Sequence, residues 1–195
     1  MGCNFPAYNP NMNKEDEAIW VLNNKFRVQD VWNAIRDSFP VVSWYELVWH
    51  KDYIPRCSMI LWLVFHDRLR TKDRLLKWGV VDNSTCVLCG FNEETRDHLF
   101  FCCSFSAMVW NAVLMNMDVA YQCTSWQAHM DKALHLFKGV QLQARVGQIA
   151  FAATVYCIWQ ERNMRVFSGR FRTVDVIVHD IENYVRAKTY KWQVN

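Results

Sequence analysis

The chain lacks a strong net charge, a long apolar run and a secretory segment. Its 22 Lys and Arg side chains and 19 Asp and Glu side chains give a formal net charge of +3, which permits contact with nucleic acid without requiring it. The uncharged stretch at residues 146–159 is shorter than the roughly 20 apolar residues that cross a bilayer. We therefore expect an intracellular protein of the nucleus or cytoplasm, with no membrane partner.

The chain also lacks a recognisable catalytic set. No spaced carboxylates are typical of a two-metal nuclease or polymerase, and His66, His129, His135 and His179 are scattered singly. No internal repeat or low-complexity tract is visible. We therefore expect a binding or structural protein and not an enzyme.

A cluster of cysteine and histidine is present between residues 86 and 103. Cys86 and Cys89 form a C-x2-C pair, and His98 follows, with Cys102 and Cys103 after it. Two thiolates on a tight turn, an imidazole and a third thiolate fill the four tetrahedral positions of a zinc ion. Because four protein ligands leave no position for water, we expect one structural zinc ion and not a catalytic one.

The fourth ligand is ambiguous from spacing alone. In an α-helix Cys102 lies on the same face as His98, whereas Cys103 is rotated by about 140° from it. Either choice leaves five other cysteines, an odd remainder that argues against a disulfide framework and favours a reducing compartment.

A longer pattern of aromatic, turn and metal residues surrounds these ligands. It consists of Trp44, Val48, Trp49, Ile54, Pro55, Arg56, Leu61, Trp62, Arg68, Leu69, Thr71 to Leu75, Trp78, Gly79, Cys86, Cys89, Glu94, Thr95, His98 to Phe101 and Cys103. In this order the residues resemble the zinc-binding domain found downstream of the polymerase in plant non-LTR (LINE-type) retrotransposon reverse transcriptases. A later segment, Ile158 to Phe167, is similar to one that often follows this domain, so that the resemblance runs from about Phe26 to Phe167.

The resemblance implies a ligand set and an origin. It places a variable position at Cys102 and the fourth ligand at Cys103, so the implied zinc ligands are Cys86, Cys89, His98 and Cys103. One departure is Arg70, where the family commonly has proline. The chain has no room for the polymerase itself, and we interpret it as an excised module, either a fragment or a domesticated reading frame of a retrotransposon.

Hydrophobic periodicity predicts a mainly α fold, a zinc-stapled helical bundle with a short hairpin at the zinc loop. We expect a disordered leader at residues 1–17, the zinc-binding domain at 26–117 and a C-terminal helical extension at 118–195 that packs on it. Ser43 and Glu46 have capping-box spacing, and a helix over 72–78 would bury Leu75, Leu76 and Trp78. Further helices are predicted over 126–137, 141–167 and 174–190.

A basic stretch precedes the zinc loop and is the best candidate binding surface. Its members are Arg68, Arg70, Lys72, Arg74 and Lys77. Cations beside aromatic residues suit non-specific contact with RNA or DNA, whereas a solvated helix face neutralised by nearby acids is the alternative. The sequence therefore predicts a nucleic-acid-binding zinc module or, alternatively, a structural module that contacts a reverse transcriptase or another protein.

Overall fold

The computed structural model describes residues 28–37, 40–119 and 125–193 of the chain. It divides into two compact units, Met1–Pro40 and Val41–Asn195. The predicted leader at residues 1–17 lies outside the described residues. In the first unit, helix α1 spans Val28–Ile35 and exposes Val28, Trp32 and Ile35 at the three- and four-residue spacing of one helical face.

The described elements of the second unit are α2 (Tyr45–Val48), α3 (Pro55–Phe65), α4 (Lys72–Lys77), a π-helical turn (His98–Cys102), α5 (Ser104–Met115), α6 (Trp126–Leu136), α7 (Leu142–Ser168) and α8 (Val174–Gln193). The second unit thus consists of helices and of a loop that connects α4 to the π-helical turn. The predicted hairpin is reduced to one antiparallel bridge between Thr85 and Glu93. The described residues form no strand, and the predicted mainly α fold class is confirmed.

Helix α7 is the centre of this unit. It packs against α3, α5, α6 and α8, and its middle part is buried on all sides, which explains the long uncharged stretch in the sequence. An added Cβ at Gly147 would lie 2.1 Å from Cδ1 of Phe137, so only glycine lets that ring reach the helix backbone. None of the helices in the described ranges is long and apolar enough to span a membrane.

Two local predictions are wrong. Helix α2 begins after Trp44 and has no side-chain cap, so the capping box proposed for Ser43 and Glu46 does not form. Helix α4 has no buried residue, and Leu76 and Trp78 are exposed by 39% and 59%. Periodicity identifies an apolar side of a short helix, but it does not show whether another element covers that side.

Candidate metal centre

The first half of the site is a tight loop that carries Cys86 and Cys89. The Gly90 amide donates to the Cys86 carbonyl oxygen at 2.8 Å, and the Cys86 amide donates to the Asn92 carbonyl oxygen at 2.8 Å. Gly90 has a φ of +77°, in the left-handed region that glycine adopts without a steric penalty. These contacts close the loop and turn the two cysteine side chains to the same side.

The second half of the site is the π-helical turn that carries His98. The Thr95 hydroxyl accepts a hydrogen bond from the His98 amide at 3.1 Å and so caps the start of the turn. The Cys103 amide donates to the His98 carbonyl oxygen at 2.7 Å, a bond that spans five residues. This wide turn brings Cys103 back to the side of His98, whereas Cys102 is exposed.

The structure brings the four residues of the implied ligand set together. The sulfur atoms of Cys86, Cys89 and Cys103 and a ring nitrogen of His98 all lie within 4.8 Å of one another. Cys89 Sγ is 3.3 Å from His98 Nε2. Zinc bonds of about 2.3 Å to sulfur and about 2.0 Å to nitrogen separate ligand atoms by about 3.5–3.8 Å, so this donor set fits a tetrahedral zinc ion with small shifts.

The sulfur atoms also receive donors from the backbone. Amides of Leu88 and Cys89 face the Cys86 sulfur, and amides of Phe105 and Ser106, at the start of α5, face the Cys103 sulfur. The hydrogen bond that Cys103 receives from Cys86 is the main cause that lowers the pKa of Cys103 to about 5, and the same bond, with burial, raises the pKa of Cys86. The pair therefore favours the thiolate at Cys103 and the thiol at Cys86, and the thiolate is the form in which cysteine binds metal.

The π-helical turn is anchored in the core by its apolar residues. Leu99 and Phe100 are completely buried, and the Phe101 ring lies 4.4 Å from the His129 ring and 6.0 Å from the Phe151 ring of α7. The Trp110 indole nitrogen is in turn hydrogen-bonded to His129 at 3.1 Å. Packing of these rings fixes the position of His98 independently of any metal.

A buried ion pair links the zinc loop to α7 and was not predicted. Glu94, which lies between Cys89 and His98 in the sequence, is fully buried and accepts hydrogen bonds from Arg162 Nε at 2.9 Å and from the Lys72 amide at 3.0 Å. Arg162 is 2% exposed. Because Glu94 and Arg162 are 68 residues apart, no local spacing could have indicated this pair.

The basic stretch does not form one uniform surface. Arg74 pairs with Asp67, and Lys72 Nζ donates to the Thr85 carbonyl oxygen at 2.9 Å. Arg68, Arg70 and Lys77 are exposed. The structure thus leaves three of the five predicted cations as exposed side chains and uses the other two to hold the loop and α4.

Comparison with known proteins agrees with the geometry. Residues 26–110 match the family model described as zinc-binding in reverse transcriptase. The matched region, less than half of the 195-residue chain, contains all four clustered residues and supports a reverse-transcriptase-type zinc-binding domain, which is not the catalytic part of that enzyme. No curated protein and no solved structure matches the chain.

Proposed function

We propose that the chain is a non-catalytic module in which Cys86, Cys89, His98 and Cys103 hold one structural zinc ion. The observation that carries this proposal is the convergence of three sulfur atoms and one imidazole nitrogen within 4.8 Å, inside a region that matches a zinc-binding family. Four protein ligands leave no coordination position for water or substrate, so the ion would fasten the loop to the π-helical turn.

The origin and the compartment are part of the same proposal. The residue pattern from Trp44 to Cys103, together with the later segment up to Phe167, supports derivation from a plant LINE-type retrotransposon reverse transcriptase. A site of three thiolates is best maintained in a reducing compartment, which supports an intracellular location in the nucleus or cytoplasm.

Metal analysis of two adjacent cysteine variants tests the ligand set. We expect one zinc per chain in the purified wild type and in Cys102→Ser, and no stoichiometric zinc in Cys103→Ser, because serine is a poor replacement for a thiolate ligand. The measurement is elemental analysis after desalting under reducing conditions. Zinc retained in Cys103→Ser but lost in Cys102→Ser would contradict the assignment, and an absence of zinc in the wild type would refute the proposal.

We further propose non-specific contact with RNA or DNA as a second function. The supporting observation is that Arg68, Arg70 and Lys77 remain exposed and that Trp78 beside them in sequence is 59% exposed. Guanidinium and ammonium groups bind phosphates, and an exposed indole can stack on an unpaired base. The pairing of Arg74 with Asp67 and the hydrogen bond from Lys72 Nζ to the Thr85 carbonyl oxygen reduce the proposed interface to these three cations.

A salt titration against a matched charge control tests this second function. With single-stranded RNA, we expect the combined Arg68→Gln, Arg70→Gln and Lys77→Gln variant to reduce the slope of log K against log salt by about 2, since each phosphate contact contributes about 0.7. The control removes three exposed lysines elsewhere, in the variant Lys51→Gln, Lys132→Gln and Lys138→Gln. An equal decrease of the slope in both variants, or no RNA binding by the wild type, would contradict the proposed interface and favour a structural or protein-interaction module.

A further inference from the structure

Arg165, on α7, contacts the loop between the first two cysteine ligands. Its Nη1 donates to the Leu88 carbonyl oxygen at 3.1 Å and to the Val87 carbonyl oxygen at 3.3 Å. The side chain is 9% exposed. Arg165 lies outside residues 26–110, so this contact comes from beyond the region that matches the zinc-binding family.

The two peptide groups whose carbonyl oxygens accept from Arg165 also direct their amides at the Cys86 sulfur. The peptide between Val87 and Leu88 carries the Leu88 amide, and the next peptide carries the Cys89 amide; both amides face the Cys86 sulfur. In a trans peptide the carbonyl and the amide point in opposite directions. Donors on the carbonyl side therefore fix the orientation of both peptides and polarise the amides toward the sulfur.

The guanidinium of Arg165 is itself held rigidly. Its Nε donates to Glu161 at 2.7 Å, one helical turn earlier, and Glu161 is fully buried. Glu161 also accepts hydrogen bonds from the backbone amide and the Nε of Arg172, at 3.0 and 2.9 Å. The guanidinium carbon lies 4.4 Å from the centre of the Phe105 ring, beside the start of α5. The Arg165 guanidinium is therefore held by the Glu161 carboxylate and by its contact with the Phe105 ring.

A second contact from α7 holds the other half of the loop. Arg162 pairs with Glu94, and Glu94 lies between the second ligand, Cys89, and the third, His98. Arginines three residues apart on one helix thus bind the loop on both sides of Cys89. A loop held at two points by the same helix cannot change its ligand geometry without displacing that helix.

We propose that Arg165 is a positioning residue of the metal centre and that zinc affinity and the docking of α7 are energetically coupled. This inference rests on the proposed zinc site. Residues that orient ligands without contacting the ion commonly change metal affinity by 10- to 100-fold. Because coupling between two binding events is reciprocal, bound zinc also strengthens the packing of the C-terminal end of α7 on the loop.

Zinc affinity of arginine variants tests the coupling. Arg186 makes an exposed i,i+4 pair with Glu182 and supplies the control variant Arg186→Met. By competition with a chromophoric chelator, we expect Arg165→Met to bind one zinc per chain with 10- to 100-fold lower affinity, and Arg186→Met to match the wild type. If Arg165→Met does not fold, Arg165→Lys replaces it, because lysine keeps the positive charge but lacks the forked guanidinium. We expect the zinc affinity of Arg165→Lys to be about a third of that of the wild type or less.

A spectroscopic readout separates positioning from general destabilisation. In the cobalt-loaded protein, weaker amide donors to the Cys86 sulfur should move the sulfur-to-cobalt charge-transfer band to longer wavelength in Arg165→Met but not in Arg186→Met. Wild-type affinity and an unshifted band in the folded Arg165 variants would overturn the inference while leaving the zinc site intact. An absence of zinc binding in the wild type would instead overturn the proposed function and this inference with it.

Discussion

Chelation of zinc from the loaded protein is expected to lower its free energy of unfolding by about 5 kcal/mol. A ligand that binds only the folded state stabilises it by RT ln(1 + [L]/Kd), which is about 5 kcal/mol for nanomolar affinity at 10 µM free zinc. The four proposed ligand atoms belong to residues 86–103, within the part of the chain that connects α4 to α5. Without the ion, three cysteine sulfurs and the imidazole lose their shared metal bonds, and the hydrogen bonds and the ion pair of the loop alone hold it closed.

Urea unfolding with zinc and with excess chelator, under reducing conditions, measures this difference. Cys103→Ser is the control, because it lacks the fourth ligand and its midpoint should be the same in both conditions. Hydrogen exchange of the same samples should show the largest loss of protection in residues 86–103, since the clustered cysteine and histidine side chains lie in that segment, whereas the middle of α7 is buried mainly among apolar residues. Equal wild-type midpoints with zinc and with chelator would show that the metal does not stabilise the fold.

Replacing the buried carboxylate in Glu94→Gln is expected to cost about 3 kcal/mol or more of unfolding free energy. The variant keeps an oxygen that can accept from the Lys72 amide, but it leaves the Arg162 charge buried with no opposite charge. Removing one partner of a buried ion pair commonly costs about 3–5 kcal/mol for this reason.

A double-mutant cycle of Glu94→Gln with Arg162→Met measures the interaction energy between these two side chains. We expect the double variant to be more stable than the sum of the two single effects predicts, because the second substitution removes the unpaired charge. Glu182→Gln, at the exposed Arg186 pair, is the control and should change stability by less than about 0.5 kcal/mol. Additive effects in the Glu94 and Arg162 cycle would contradict a strong ion pair.

The parts of the fold that the sequence predicted well are those with strong local signals. The helix predicted over 126–137 spans Trp126–Leu136, and the helix predicted over 174–190 begins at Val174 and extends to Gln193. The long helix α7 was predicted over 141–167 and spans Leu142–Ser168, with the uncharged and mainly apolar stretch 146–159 in its middle. Helix α4 was predicted with the wrong buried face, since its surroundings depend on contacts that are distant in sequence.

For the same reason, the clustered residues of the candidate site could be predicted from the sequence, whereas the side chains that contact their loop from α7 could not. The four clustered residues are close in sequence, and the choice of Cys103 over Cys102 followed from the resemblance and not from α-helical geometry. The π-helical turn explains that choice, because its five-residue hydrogen bond returns Cys103 to His98. The contacts from Arg162 and Arg165 could not be predicted, since they join segments 68 to 78 residues apart.

The four clustered residues are close in sequence, whereas residues that hold the surrounding structure come much later in the chain. This difference bears on the order in which the site assembles. All four proposed ligand side chains are present as soon as residue 103 has been made, and closing a short loop costs little chain entropy. Glu94 must wait for Arg162, and Asp52 accepts a hydrogen bond from Trp192, 140 residues later. We therefore expect the growing chain to capture its metal early and weakly, and the later helices to close over the loop and tighten its hold.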